Sequence, residues 1–245
     1  MNTAQPTTTV NPVGPTMVSG VAERISGMIL AGELRSGDRL KSDEIAHRLG
    51  VSRVPVREAL RLMDGGGLIE VRPRRGAVVV TFDMDGANDL LDLVRVRREL
   101  EPWAASMAAQ HCGASDLAAI DRAIAEGVAA TERGDRIAAG AAHHALLQAT
   151  ARATGNRTLL DTLTPLHNRS AVAFALVAVE ALPDGWTAHR LVRDAIERSD
   201  GRSARRLTRQ HLDDVISALR RLPTPWRQEE LGARSDSEIE FGVEL

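Results

Sequence analysis

The chain has 245 residues, 43% of them apolar and 26% charged, which is enough apolar material for an ordinary core and, at a net charge of −2, too little repulsion to keep it unfolded. Aromatics make up only 2% and Tyr is absent, so the core has to be built from Ala, Leu, Val and Ile, which favours closely packed helices. No apolar run is long enough to cross a bilayer, the polar start MNTAQPTTTVNPVGPT lacks the apolar stretch of a secretory signal, and the single Cys112 excludes an intramolecular disulfide; a cytoplasmic protein of one large or two small domains is expected.

Residues 1–16, rich in Thr, Pro and Asn, are expected to form a disordered tail. Val18, Val21, Ile25, Met28 and Ile29 then recur at helical spacing up to Gly32. ELRSGDRL turns at Gly37-Asp38 into a short extended piece. Ser42 is the expected N-cap of a second helix, with Asp43 and Glu44 placed to suit its dipole, Ile45, Ala46 and Leu49 facing inward, and Gly50 closing it.

The stretch GVSRVPVREAL, Gly50 to Leu60, contains a proline at an unusual place for a helix. If Ser52 is the N-cap, Pro55 falls in the first turn, where backbone N–H groups lack intrahelical partners and a missing donor costs little. The same proline denies Ser52 one backbone donor, so its hydroxyl is left to another donor or to a ligand. Val56, Leu60 and Met63 form the inward stripe, Arg53, Arg57 and Arg61 share a different face, and Asp64–Gly67 ends the helix. Leu68 to Val80 reads as two strands around Pro73-Arg74-Arg75-Gly76.

Residues 17–81 are therefore expected to make three helices and a hairpin, a winged helix-turn-helix. Residues 84–222 are helical in period, with breaks at Gly113, Gly134-Asp135, Gly155-Asn156, Pro183 and Asp200-Gly201. Residues 223–245 form an acidic tail. The fold class is mainly α: an N-terminal winged helix-turn-helix followed by a six-to-seven-helix bundle.

Charge follows this division. Residues 18–81 carry eleven basic and eight acidic side chains, a net of +3, and the remainder twenty and twenty-five, a net of −5. A basic module on an acidic body points to a polyanion partner for the first module alone. In a winged helix-turn-helix the N-terminus of the second helix of the motif enters the major groove. Ser52, Arg53, Val54 and Arg57 then lie nearest the duplex: the arginines can donate two bonds to guanine O6 and N7, Val54 can touch a thymine methyl, and Ser52 suits a phosphate. Arg72, Arg74 and Arg75 can reach the backbone or minor groove from the wing.

LKSDEIAHRLGVSRVPVREALRLMDGGGLIEVRPRRGAVVV resembles the winged-helix domain of GntR-type bacterial transcription regulators, with GVSR-x-P-VREAL as the specific core. The resemblance implies DNA contacts by Ser52, Arg53, Val54 and Arg57, with Gly76 letting the wing approach the duplex. One departure falls at Lys41-Ser42-Asp43: many relatives carry a DNA-contacting Arg where this chain has Asp43, and Lys41 is the candidate substitute.

The helical part resembles the effector-binding (FCD-type) domain of the FadR-like branch through VRVRRELEP, ATGN, HRLVRDAIERSDG and RRLTRQHL. Relatives often hold a divalent metal with one Asp and three His, and the metal helps to seat a carboxylate effector. His189 and His211, 22 residues apart, match the last two ligands. The first pair does not match: His143 stands at the expected Asp and Leu147 at the expected His. His143, His189 and His211 would leave a three-imidazole site suited to Zn²⁺ or another borderline metal, or else line the pocket as ordinary polar residues or sit in the core as hydrogen-bonded ones. His144 projects about 100° away from His143 on an ideal helix. Arg97 aligns with an arginine that joins the effector, and could instead pair with Glu101 along its own helix. His111 and His167 match nothing in the ligand set; His167 stands as a candidate pocket-lining residue.

The implied protein is a ligand-responsive transcriptional regulator, a repressor by the family's common habit, that binds a palindromic operator as a homodimer and is released by a small carboxylate. The alternative is a metal-dependent enzyme with an accessory DNA-binding module, since a three-His site with an open position could activate water. Against it, no general base stands at recognisable spacing, and the Gly65–Gly67 run lacks the Lys and Ser/Thr of a phosphate-binding loop. An architectural DNA-binding protein without a sensor leaves the His189/His211 spacing unexplained.

Overall fold

The structure, a computed structural model, describes residues 16–72, 76–81, 87–174 and 185–221. The two tail assignments therefore lie outside the described residues except for Thr16. That side chain accepts from the Ser19 amide at 3.2 Å and caps α1, Met17–Leu30, whose buried stripe is Val21, Ile25, Met28 and Ile29.

β1, Arg39–Leu40, is followed by α2, Ser42–Leu49, and α3, Arg53–Met63. Ser42 is the first residue of α2 rather than its cap; Lys41 holds the cap position without a side-chain bond. Gly50 ends α2 in the left-handed conformation, φ 66°, which a residue with a Cβ adopts at a cost. Ser52 caps α3 with no side-chain cap bond, and Pro55 sits buried in the first turn, both as the sequence predicts. β2, Ile69–Arg72, and β3, Gly76–Val79, pair antiparallel with Ile69 opposite Val79 and Arg72 opposite Gly76. β1 adds to the other edge of β3, giving the order β1-β3-β2. The two-residue strand is too short for any alternation to announce it, so a three-stranded sheet replaces the expected hairpin. Ile25, Ile29, Leu40, Ile45, Leu49, Val56, Leu60 and Val79 close one core between the helices and the sheet.

Among the described residues six helices follow: α4, Ala87–His111; α5, Ala114–Glu132; α6, Arg136–Ala153; α7, Arg157–Phe174; α8, Gly185–Glu197; and α9, Gly201–Arg221. Their bounds fall within a few residues of the periodic segments, except that the last part of the segment predicted to end near 181 lies outside the described residues. The bundle core is alanine-rich, with Ala105, Ala108, Ala123, Ala149, Ala195 and Ala204 among its buried residues, as a chain so poor in aromatics requires. No helix among the described residues is long and apolar enough to cross a membrane.

α7 packs against the winged module, as does α6, whose Ile137 lies beside Gly32. Leu163, His167 and Ser170 lie buried along one side of α7. Pro165, Asn168 and Val172 lie on the adjoining side, and Val172 belongs to the core of the winged helix. Gly67, in the loop after α3, lies so close that a Cβ would stand 2.2 Å from the Pro165 carbonyl oxygen, and its φ of +83° is one that only glycine adopts without strain.

Candidate DNA-binding face and sensor cavity

The first turn of α3 is held from beneath and open above. Pro55, Val56, Ala59 and Leu60 are buried, while Ser52, Arg53, Val54 and Arg57 face solvent. Val54 is 68% exposed, an apolar side chain left in water beside two cations. Arg53 Nε lies 2.9 Å from Asp43 Oδ1 on α2. Lys41 donates to Glu44 at 2.7 Å and Arg61 to Glu58 at 2.7 Å. Arg72 is tied back to Glu70 and the Thr81 hydroxyl, 2.9 and 3.0 Å away. Gly76 is exposed at the start of β3; Arg74 and Arg75 lie outside the described residues.

The bundle encloses a cavity of about 40 Å³, lined among others by Glu101, Leu147, Thr150, His167, His189 and His211. By volume it has room for about three waters. Leu147 does line it, so the departure read from the sequence falls inside the cavity and removes a donor from its wall. The His143 ring stands 5.2 Å from His189, and His189 stands 4.7 Å from His211, centroid to centroid. Trp186 closes the group, 5.9 Å from His189 and 6.3 Å from His143. His144 faces elsewhere, with Nε2 2.7 Å from Asn168 Oδ1.

Burial sets the charge of this wall. It lowers the pKa of His143 to about 3, reinforced by the Arg97 cation and by the cost of placing a second charge beside His211. His189 is held well below its ordinary value by burial, then by His211 and His143. His211 is lowered by burial and then by Arg97. All three rings are neutral imidazoles near pH 7, the form that can bind a metal or accept a hydrogen bond. His189 Nε2 is buried without a hydrogen-bond partner, the kind of orphan that a bound group satisfies. The donor chemistry thus fits a borderline metal, although no three His, Cys, Asp or Glu among the described residues are drawn together closely enough to hold an ion as placed.

Arg97 takes the partner that the sequence offered as its alternative. Buried at 2% exposure, it donates from Nε to Glu101 Oε1 at 2.5 Å, from Nη2 to Oε2 at 3.3 Å, and from Nη1 to Ser170 Oγ at 3.1 Å. His167 Nε2 lies 3.1 Å from Glu101 Oε1, and its Nδ1 lies 3.4 Å from Gln148 Nε2. Thr164 donates to Gln148 Oε1 at 3.2 Å. Burial pushes the Glu101 carboxyl up, but Arg97 and His167 together outweigh it and hold the group below the usual carboxylate range. The result is a polar chain, Ser170–Arg97–Glu101–His167–Gln148–Thr164, that reaches the cavity through Glu101 and His167. Gln148, Thr164 and Ser170 are unreadable in the sequence, since each is an ordinary helix residue until three helices meet.

A winged helix-turn-helix carried on a helical bundle with a buried polar cavity defines the class of DNA-binding transcriptional regulators. The family model for bacterial regulatory proteins of the gntR family matches residues 17–79, and that for the FCD domain matches residues 92–214. The chain belongs to the GntR family of regulators, with an FCD domain as its second module. It is 31% identical over 206 residues, 83% of this chain and 88% of the relative, to the protein named "Probable D-xylose utilization operon transcriptional repressor" from Paenarthrobacter nicotinovorans. It is 48% identical over 64 residues to an uncharacterized HTH-type transcriptional regulator of Mycobacterium tuberculosis (strain ATCC 25618 / H37Rv), a match spanning 26% of this chain and only 26% of that relative. The solved structure of McbR/YncC from Escherichia coli superposes with a TM-score of 0.69 at 22% identity, covering 84% of this chain and 97% of that one, and so shares the fold. The relatives are regulators, and the enzyme alternative is set aside.

Proposed function

We propose that this regulator binds a two-fold-symmetric operator as a homodimer and is released from it by a small carboxylic acid bound in the helical cavity. Arg53, Val54 and Arg57 supply the major-groove contacts and Ser52 meets a phosphate, while Lys41 stands in for the family's DNA-contacting arginine and Arg74 and Arg75 reach the backbone or minor groove from a wing that Gly76 lets approach. The exposure of Val54 and of both arginines above a buried Pro55–Val56 floor supports this assignment. A dimer matches a two-fold operator by its own symmetry.

His143, His189 and His211 are the proposed holders of a divalent metal, Zn²⁺ by donor chemistry. Such an ion supplies the positive charge that seats an anionic effector. Neutral imidazoles and the orphaned His189 Nε2 support the assignment. Arg97 enters the site through Glu101, whose carboxylate already fills its fork, rather than as an open carboxylate receptor.

The observation that carries the proposal is the double duty of α7. Its His167 belongs to the polar chain that reaches the cavity, and the next residue, Asn168, donates from Nδ2 to the Gly66 carbonyl at 2.7 Å, in the loop directly after α3. A ligand that shifts His167 therefore pulls on the support of the recognition helix. The test is a thermal-shift screen of small carboxylic acids followed by operator-release measurements on those that stabilise the protein. Stabilising acids that leave operator affinity unchanged would refute the regulatory coupling, since ligand and DNA must affect each other reciprocally.

A further inference from the structure

We infer that Asp43 is a positioning residue for Arg53, fixing the arginine for base readout and penalising any complex in which it lets go. The inference rests on the proposed groove placement of α3.

The pair joins two helices. Asp43 sits in the first turn of α2 and Arg53 is the first residue of α3, with Nε 2.9 Å from Oδ1. Both side chains are mostly exposed, 63% and 71%, so the pair does little for folding. The α2 dipole does not explain Asp43 either, because Glu44 stands in the same turn and is already held by Lys41. What remains is an acid placed beside the leading cation of the face that meets a polyanion.

Two consequences follow from where the contact is made. The approach is made at Nε, so holding Asp43 and presenting the terminal nitrogens to guanine O6 and N7 do not compete for the same atom. A long side chain that would otherwise sample many rotamers is thereby oriented before DNA arrives. Once the duplex covers the pair and displaces water, their attraction strengthens. On an unrelated sequence Arg53 gains most by swinging to a phosphate. That movement leaves the Asp43 charge unpaired against the DNA backbone, a repulsive element that specific complexes avoid.

The experiment uses the full chain and a duplex pool of randomised sequence. Bound sequences are selected with the wild type, Asp43→Ala, Asp43→Asn and Arg53→Ala, and affinity for an unselected duplex is measured at one salt concentration. Arg53→Ala identifies the base pair that Arg53 reads. Both Asp43 variants are expected to lose about tenfold of the preference at that same pair while binding the unselected duplex about two- to threefold tighter. A merely structural role would lower both affinities together. Preference unchanged at every position overturns the inference, as does preference lost at a pair that Arg53→Ala leaves intact, which would make Asp43 a direct reader. A wild type that selects no sequence removes the groove placement itself, and the inference falls with it. Melting temperatures close to the wild type identify the folded variants, and Asp43→Asn, which keeps the side-chain shape while removing its charge, guards against misfolding of the alanine variant.

Discussion

Asn168 bridges the two modules with one amide: its Nδ2 donates to the Gly66 carbonyl at 2.7 Å, and its Oδ1 lies 2.7 Å from His144 Nε2. Gly66 follows α3 by three residues, and His144 lies on α6, which brings Leu146 and Leu147 to the cavity, so the amide ties the loop after the recognition helix to an element that lines the cavity. Asn168→Ala is expected to leave operator affinity nearly intact and to reduce the effector's influence on it, by about 0.5–2 kcal/mol of coupling. Fluorescence anisotropy of a labelled operator, with and without effector, measures this directly. An unchanged effector response in the variant would place the coupling elsewhere.

Arg53→Ala and Arg57→Ala are expected to abolish specific operator binding and to leave the fold unchanged, because both side chains are exposed and the floor beneath them is apolar. Each lost bidentate contact costs about 1–3 kcal/mol of discrimination. Electrophoretic shifts answer the question, with thermal melting as the control. Normal binding by both variants would mean that another surface meets the duplex.

How far these features can be read from the sequence depends on how local they are. Gly50, Ser52 and Pro55 reveal the helix-turn-helix because caps and first-turn prolines act within four residues. The bundle helices are legible from apolar period and from breaks such as Gly155-Asn156. The polar chain that reaches the cavity is not legible: Glu101 meets His167 across 66 residues and Arg97 meets Ser170 across 73, and no local signal distinguishes these from surface polar residues. The Asn168–Gly66 bond spans 102 residues and is invisible for the same reason. The three histidines are found only through resemblance; their burial, and the orphaned nitrogen of His189, are tertiary facts.

Metal content tests the cavity more directly than any binding assay. Protein purified without chelators is expected to carry near-stoichiometric divalent metal by mass-spectrometric elemental analysis. His189→Ala or His211→Ala should remove it, with the thermal stabilisation that bound metal confers lost in parallel. A wild type free of metal would leave a plain polar pocket whose imidazoles meet the effector themselves.

Acid should destabilise the metal-free protein in a window that the histidines own. In the unfolded chain their imidazoles take up protons near pH 6.5. In the folded chain His143 resists protonation down to about 3, and His189, His211 and His144 are all shifted the same way, each by burial first. Between these limits the unfolded state binds more protons, so stability is full above about pH 6.5 and falls as pH drops. Glu101 also loses stability in acid, but because its folded value is depressed, that loss begins only below the ordinary carboxylate range near 4.5. From pH 6.5 to 5 the histidines therefore act alone among the groups with shifted values. Each fully neutral ring contributes a loss of about 2 kcal/mol over that interval. Urea unfolding of chelator-treated protein at the two pH values should show the fall, and His143→Gln should reduce it by about one ring's share. A stability that stays level from pH 6.5 to 5 would mean that the rings are hydrated and titrate as in free solution, and the buried imidazole wall would have to be given up.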